Sequence, residues 1–437
     1  MSLQTKSKSS ANFREKLTEW SEKYKVGAFF RKYTMVIALV AVTLIFALWD
    51  GKEGLILTPM NIWSLISTNS YVILLATGML LCILTGGNID LSVGSLICLS
   101  GAVGCVMMAA GINIWVAVLV MLAVGLAAGL FQGFWIAKLR VPAFIATLAG
   151  MYAFRGVASI LLNGLRVDAK NEVFLQFFGD GKTSVIPDFI RDAFGGMNDF
   201  FSKENTFLVD LIGSNGQVAK FNLTCFVIGV VAALIFIAVK VINLVKQKKL
   251  KIKVNLVEQI LTMVVVSALI VWVCFKLACY GRGFPMVLIW IGVVVGIYAY
   301  VTNKTAMGRY LYAVGGNEKA TELSGVKTRN VYWFAYANMG LLAGLAGVLT
   351  VARGKGIDPT IGEGYEMDAI AACFIGGASA YGGTGKISGM IIGALLMGII
   401  NKGMVIVNVD ANFQKVVKGL VLLVAVMFDV MSKRQKR

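Results

Sequence analysis

Long apolar runs alternate with short polar intervals over most of the chain. A membrane-crossing helix needs about 20 predominantly apolar residues, and twelve stretches approach that pattern: 33–49, 65–85, 92–110, 113–137, 143–163, 221–239, 256–279, 286–302, 331–352, 366–380, 387–407 and 413–431. The expected fold is all-α and polytopic, with about twelve spans in a transmembrane domain over 33–431. Pro59, Pro142, Pro187, Pro285 and Pro359 all fall at run ends or between runs, as unbroken helices require. The weakest element is 366–380, which is short and followed by the glycine-rich GGASAYGGTGKISG. A re-entrant half-helix there is the alternative; it would leave ten or eleven spans and reverse everything after it.

The polar intervals differ in character. Residues 1–32 form an N-terminal segment in which 11–32 predicts either an amphipathic surface helix or a solvated tail, and 432–437 is a short basic tail. Hydrophobicity begins without a small-residue cleavage site, so no cleaved signal peptide is expected. The loop 164–220 mixes aromatics with charges and predicts a small cap or partner surface. The interval 303–330 predicts a two-turn helix. Asn317 is placed to cap it and Gly325 to end it in a left-handed conformation, enclosing Glu318, Lys319, Ala320, Thr321, Glu322, Leu323 and Ser324. It reads either as a solvated connector or as a rigid docking element displayed between two spans.

Composition agrees with a membrane protein: 58% of the residues are hydrophobic and 15% are charged, against about 25% charged in soluble domains. Net charge is +18, a value compatible with nucleic-acid binding, but the placement of the charges points elsewhere. With the N-terminus inside, the cytoplasmic segments, which include 240–255 and 303–330, hold 26 Lys or Arg against 10 in the opposite ones. This positive-inside bias predicts cytoplasmic termini, and anionic lipid headgroups account for the basic excess without nucleic acid. The seven cysteines show no CxxC spacing and read as packing thiols. The chain has no histidine, which removes the commonest general base and metal ligand. No catalytic dyad, metal site or cofactor is expected.

Three features could carry function. In TGGNIDLSVGS (85–95), Gly86 and Gly87 permit a sharp break, and Asp90 or Ser92 can cap the helix that follows. It is either an ordinary helix start or unwound backbone lining a polar pathway, the latter tolerated at membrane depth only beside water or protein. Arg155 lies near the middle of a span, where a charge needs a partner; Asp90, Glu366 and Asp368 are the available acids. Glu366 and Asp368 also suit simple helix-dipole capping. Gly376–Gly389 resembles a phosphate loop but lacks the GxxxxGK[ST] spacing, so an interrupted helix is the better reading. Interruptions in two halves of a membrane protein point to a transport path.

Four phrases, TGGNIDLSVGSL (85–96), RVPAFIATLAGMYAFRGVA (140–158), GRYLYAVGGNEKATELSGVKTRNV (308–331) and GYEMDAIAACFIGGASAYGGTGKISG (364–389), together resemble one family. It is the permease family of ribose, xylose and galactose ABC importers. The long loop 164–220 and basic loop 240–255 make the chain most similar to xylose or multiple-monosaccharide permeases. The resemblance implies a type II importer-like fold in a bacterial inner membrane, a second copy of the permease, a sugar-binding protein outside and an ATPase inside. It implies that Asn317–Gly325 is the coupling helix. It also implies that Gly86, Gly87, Asn88, Asp90, Ser92, Gly94, Arg155, Gly376, Gly377, Ser379, Gly382 and Gly383 shape the pathway or its packing. The alternative is a twelve-span secondary transporter.

Overall fold

A computed structural model describes residues 26–49, 55–179, 185–186, 221–250, 256–280 and 284–434. Apart from 26–32, the N-terminal segment lies outside these residues, as do most of the loop 164–220 and the end of the C-terminal tail. The helices are α1 (Val26–Trp49), α2 (Pro59–Thr68), α3 (Ser70–Leu84), α4 (Val93–Ala109), α5 (Ile114–Gly133) and α6 (Ala143–Leu161). After the short α7 (Glu172–Phe178) come α8 (Leu223–Lys249), α9 (Leu256–Tyr280), α10 (Met286–Lys304), α11 (Ala306–Gly316) and α12 (Glu318–Leu323). The last four are α13 (Thr328–Gly354), α14 (Tyr365–Ile375), α15 (Ile387–Ile406) and α16 (Ala411–Arg434). Among the described residues, strands are two-residue pieces only: Val167 pairs with Ile357, and Val185 with Pro285, in antiparallel register. The all-α expectation holds.

Among the described residues, eight helices are long and apolar enough to cross a membrane, counting α2 and α3 as one run. The centre is α13, which packs on α3, α4 and α5. Its contact with α5 is close because both helices put glycine at the crossing. A Cβ on Gly125 would strike the Gly340 carbonyl, and one on Gly340 would strike that of Gly125. Small residues that let backbones approach are the usual means of packing helices where lipid is as apolar as the side chains. A second assembly, α14 on α3, α15 and α16, flanks this core. The α8–α9 hairpin is peripheral, held to α2 by a small cluster of Ile62, Trp63, Cys225, Leu277 and Ala278.

Three local expectations change. The interval 240–255 is not all loop, because α8 continues to Lys249 and ends on Lys246, Lys248 and Lys249, cations that suit a helix C-terminus. The interval 303–330 holds a second helix, α11, whose N-cap Thr305 accepts a hydrogen bond from the Gly308 N–H. The stretch 366–380 is helical only over the 11 residues of α14, about 16 Å at 1.5 Å per residue, half of an apolar core of about 30 Å. Gly376 abuts Gly389 at the start of α15 and Gly393 packs on the Ala372 carbonyl, so α14 and α15 run antiparallel, while Gly398 and Gly403 farther along α15 pack on Asn69 and Phe46.

Of the loop 164–220, the part up to Gly179 folds onto the bundle. Phe174 is buried, the Phe178 ring stacks on Trp290 with centroids 5.2 Å apart, and the Trp290 indole donates to the Phe177 carbonyl at 3.1 Å. All seven cysteines are buried free thiols, as packing residues should be.

Candidate coupling and pathway site

The two-turn helix forms as its sequence dictates. The Asn317 side chain accepts from the Ala320 N–H at 2.9 Å, and Gly325 ends the turn at φ 85°. Thr321 is buried beneath the helix, while Lys319, Ala320, Glu322, Leu323 and Ser324 face out. Leu323, an apolar side chain with no local reason to be displayed, is 83% exposed.

What holds α12 in place is not visible in its own sequence. Glu318 is gripped on both oxygens: Arg140 Nη1 donates to Oε1 at 2.5 Å and the Tyr332 hydroxyl to Oε2 at 3.0 Å. The Arg140 guanidinium also lies 5.7 Å from the centre of the Tyr332 ring. Burial alone would raise the Glu318 pKa, but the hydrogen bonds from Arg140 and Tyr332 and the charge of Arg140 outweigh it and hold it below the usual carboxylate range. Arg140 sits at φ 58°, a left-handed conformation that a non-glycine residue keeps only when its surroundings impose it.

Behind α12, the two glycine-rich breaks meet each other. Gly383 N–H donates to the Leu84 carbonyl at 3.1 Å. Added Cβ atoms on Gly87 and Gly382 would collide with Ala380 and Gly86 respectively. The end of α11 is wedged into the same junction: a Cβ on Gly315 would strike both Leu84 O and the Gly383 N–H, and the Tyr312 hydroxyl donates to the Gly385 carbonyl at 2.8 Å. Within the second break Ser379 is buried, its N–H donating to Thr384 O and its hydroxyl accepting from Tyr381 N–H. Gly377, Gly382, Gly383 and Gly385 have positive φ, while Gly376 lies against Gly389.

From this junction the first break runs into the bundle as non-helical chain. Asp90 is buried, and its N–H points to the sulfur of Met79, more than a turn inside α3. Gly94 packs on the Gly362 carbonyl before α14. Ser92 occupies the cap position of α4, but its side chain makes no cap bond; instead Asp90 Oδ1 accepts from the Ser92 N–H at 2.9 Å and hydroxyl at 2.7 Å. Gln132 of α5 donates to the same hydroxyl at 2.7 Å. Unwound backbone inside the bundle therefore has protein partners on one side. On the other it opens on a cleft of about 490 Å³, lined by Gly87, Asn88 and Ile89 and by apolar residues of α6, α14 and α16.

Arg155 is not paired with any of the three acids. Its Nη1 donates to the carbonyls of Pro359 at 2.7 Å and Ile361 at 2.6 Å, so the charge is met by backbone dipoles of the loop before α14. Nor is Asp368 merely a capping residue. It is fully buried and accepts from Lys418 at 2.9 Å, the Tyr71 hydroxyl at 2.7 Å and Asn401 at 3.2 Å. Lys418, Tyr71, Asn401, Arg140 and Gln132 were not singled out by the sequence. An apolar stretch carrying two lysines (413–431, with Lys415 and Lys418) was the only available signal. Among the described residues, no group of three or more His, Cys, Asp or Glu is placed to hold a metal ion.

The family described as branched-chain amino acid transport system/permease component matches residues 61–426. The chain belongs to this permease family. The match covers every element of the site, from the first break to the end of α14 and Lys418. The xylose transport system permease protein of Haemophilus influenzae is 31% identical over 409 residues, covering 92% of this chain and 97% of that protein. The ribose import permease protein of Escherichia coli is 32% identical over 401 residues, covering 91% of this chain and 94% of its own. The xylose permease of Escherichia coli is 30% identical over 92% of both chains. Xylose and ribose permeases thus stand at near-equal identity to this permease. No solved structure matches it.

Proposed function

We propose that this permease is the transmembrane subunit of an ATP-driven monosaccharide importer, with α12 as the element through which a cytoplasmic ABC ATPase drives it. The observation that carries the reading is the construction of α12. A six-residue helix presents an exposed Leu323, is clamped by Arg140 and Tyr332 through Glu318, and is continuous with the junction of the two glycine breaks. A force applied at Leu323 meets a braced lever rather than a loose loop. The basic bias of the segment 303–330 and its neighbours supports a cytoplasmic setting for it, with both termini on that side of a bacterial inner membrane.

The cleft beside Gly87 and Asn88, bounded by α6 and α16, is half of a pathway that a second copy of the permease completes. Exposed apolar residues on both helices, Phe144 and Tyr152 on α6 and Leu420 and Val424 on α16, support that arrangement. Gly86, Asp90, Ser92, Gly94, Arg155, Gly376, Gly377, Ser379, Gly382 and Gly383 set the backbone geometry around it. A sugar-loaded binding protein delivers on the opposite face, and hydrolysis belongs to the ATPase. The secondary-transporter alternative draws nothing from relatives named as transport-system and import permeases.

Glu318→Lys together with Gly325→Pro tests the reading. The lysine faces Arg140, and proline cannot adopt the φ of 85° at Gly325. The variant should insert normally, fail to retain the ATPase and abolish ATP-dependent sugar uptake. Normal ATPase capture and uptake would refute the role given to α12, and uptake by this chain alone on a proton or sodium gradient would refute the importer reading.

A further inference from the structure

Two arginine links are associated with α6, one just before it and one within it. Arg140, three residues before its first turn, holds Glu318 of the α12 lever at 2.5 Å. Arg155, about two-thirds of the way along it, holds the carbonyls of Pro359 and Ile361 in the loop 358–364. The first link lies at the end of the bundle that carries α12. The second lies towards the other end, where the loop runs on from the close of α13 into α14. From Ala143 to Arg155 α6 is an unbroken α-helix with no proline inside it, and Arg140 joins it through the non-helical Val141 and its N-cap Pro142. Two glycines, Gly150 and Gly156, do not break the hydrogen-bonded run.

One face of α6 is anchored, with Ala143, Thr147, Gly150 and Ala158 buried. It packs mainly on α4 and little on α5, and most of its outer face is exposed. The buried Thr147 hydroxyl bonds back to Ala143 O at 2.9 Å within its own helix and lies 3.4 Å from the Ile89 carbonyl of the first break. A helix gripped by charged hydrogen bonds at two points, with its outer face free, carries displacement from one point to the other. Charge-assisted bonds to fixed acceptors are the stronger and more directional kind. The side chain that makes the first link starts from a backbone held in the left-handed region, at φ 58°.

We propose that α6 is a strut joining the two ends of the permease: Arg140 passes displacement of α12 to α6, and Arg155 passes it to the loop 358–364. Both arginines are positioning residues. The loop is the target because Gly362 packs on Gly94 at the start of α4 and the loop leads directly into α14. Movement of the loop therefore reaches the inner end of the first break and the helix lining the cleft. This inference rests on the coupling role proposed for α12, and it adds a route from that helix to the far side of the molecule.

The test places a single reporter on the loop. Thr360 is an exposed residue of the loop, and the seven native thiols are buried, so Thr360→Cys is selectively labelled by a membrane-impermeant maleimide. The full permease is reconstituted with its ATPase in liposomes, and the labelling rate is compared with and without ATP and vanadate. The parent should show a nucleotide-dependent change of several-fold. Arg140→Glu and Glu318→Arg should each abolish that change, and the charge-swapped pair or Arg140→Lys should restore it. Arg155→Ala should abolish it while the ATPase still co-purifies.

A change that persists in both Arg140→Glu and Arg155→Ala overturns the strut. Loss that neither the swap nor Arg140→Lys restores overturns the Arg140–Glu318 link, since folding damage rather than the contact would then explain it. A parent that never captures an ATPase sinks the proposed function instead, which keeps the two failures distinguishable.

Discussion

Asp368 of α14 and Lys418 of α16 form an ion pair at 2.9 Å, with the carboxylate fully buried. The same carboxylate oxygen accepts from Tyr71 of α3 and Asn401 of α15, so four helices converge on one acid. The Tyr71 ring also stacks on Tyr365, one turn before Asp368, with centroids 3.7 Å apart. A helix of 11 residues has little propensity-based stability of its own, and these contacts supply its registration.

Removing one partner of this pair should be costly and removing both should be mild. Lys418→Met leaves a buried anion with only neutral donors, a loss of roughly 3–5 kcal/mol for a broken buried pair. Asp368→Asn combined with Lys418→Met removes both charges and should recover most of that. Thermal unfolding in detergent of the two singles and the double is the measurement; strictly additive losses would show that the charges do not interact.

Glycine substitutions at the junction of the two breaks should separate sharply by position. Gly315→Ala places a methyl group against Leu84 O and the Gly383 N–H, whereas its neighbour Gly316 faces open space. The first should destabilise by about 1–3 kcal/mol or more, as overpacking does. Gly316→Ala should be neutral or slightly stabilising, as alanine is within a helix. Comparing folded yield and melting temperature of the two variants checks the junction directly.

The lever's surface should be separable from its bracing. Leu323→Asp changes a side chain that is 83% exposed, so stability in detergent should stay within about 0.5 kcal/mol. If Leu323 enters a groove on the ATPase, losing the burial of one leucine at roughly 1.5–3 kcal/mol should weaken capture about 10- to 100-fold. Co-purification titrated with the ATPase subunit reads this.

The Arg140–Glu318 contact should set a modest acid limit. The folded-state pKa of Glu318 is depressed, so the contribution is complete above the unfolded value of about 4.3. It is lost as pH falls through the lower folded value. Both side chains are partly exposed, at 42% for Arg140 and 34% for Glu318, so after solvent screening the pair is worth only about 0.2–1 kcal/mol. Melting curves of the parent and Glu318→Gln should differ by a constant small amount from pH 7 to about 5 and converge as the pH falls through the lower folded-state value. A difference that grows as pH falls would have the wrong sign for this pair.

Much of this architecture was legible because it is written in contiguous residues. Hydropathy located the helical runs, including the pair around the glycine-rich segment. The α12 helix was readable from Asn317 to Gly325 because its cap and its terminator both lie within it. Backbone breaks at Gly86–Gly87 and Gly382–Gly383 were readable because positive φ selects glycine. The α11 helix was missed because its cap, Thr305, and its glycine-ended run looked like ordinary loop chemistry.

The contacts that give these elements a shared purpose were not legible. Arg140 and Glu318 are 178 residues apart, Arg155 and Pro359 are 204 apart, and Lys418 lies 50 from Asp368. No period or cap relates such positions, and an arginine in an apolar span can be met equally well by a carboxylate or by carbonyls. Which of these happens depends on where the loop 358–364 falls, and that follows from glycine-to-glycine packing along α5, α13 and α4. The sequence by itself determined an all-α membrane protein with a capped surface helix and two backbone breaks, since local hydrogen bonding and hydropathy act within a few residues. Only the tertiary structure decided that the breaks meet behind that helix and that two arginines tie α6 to both ends, because helix packing sets distances between residues hundreds of positions apart.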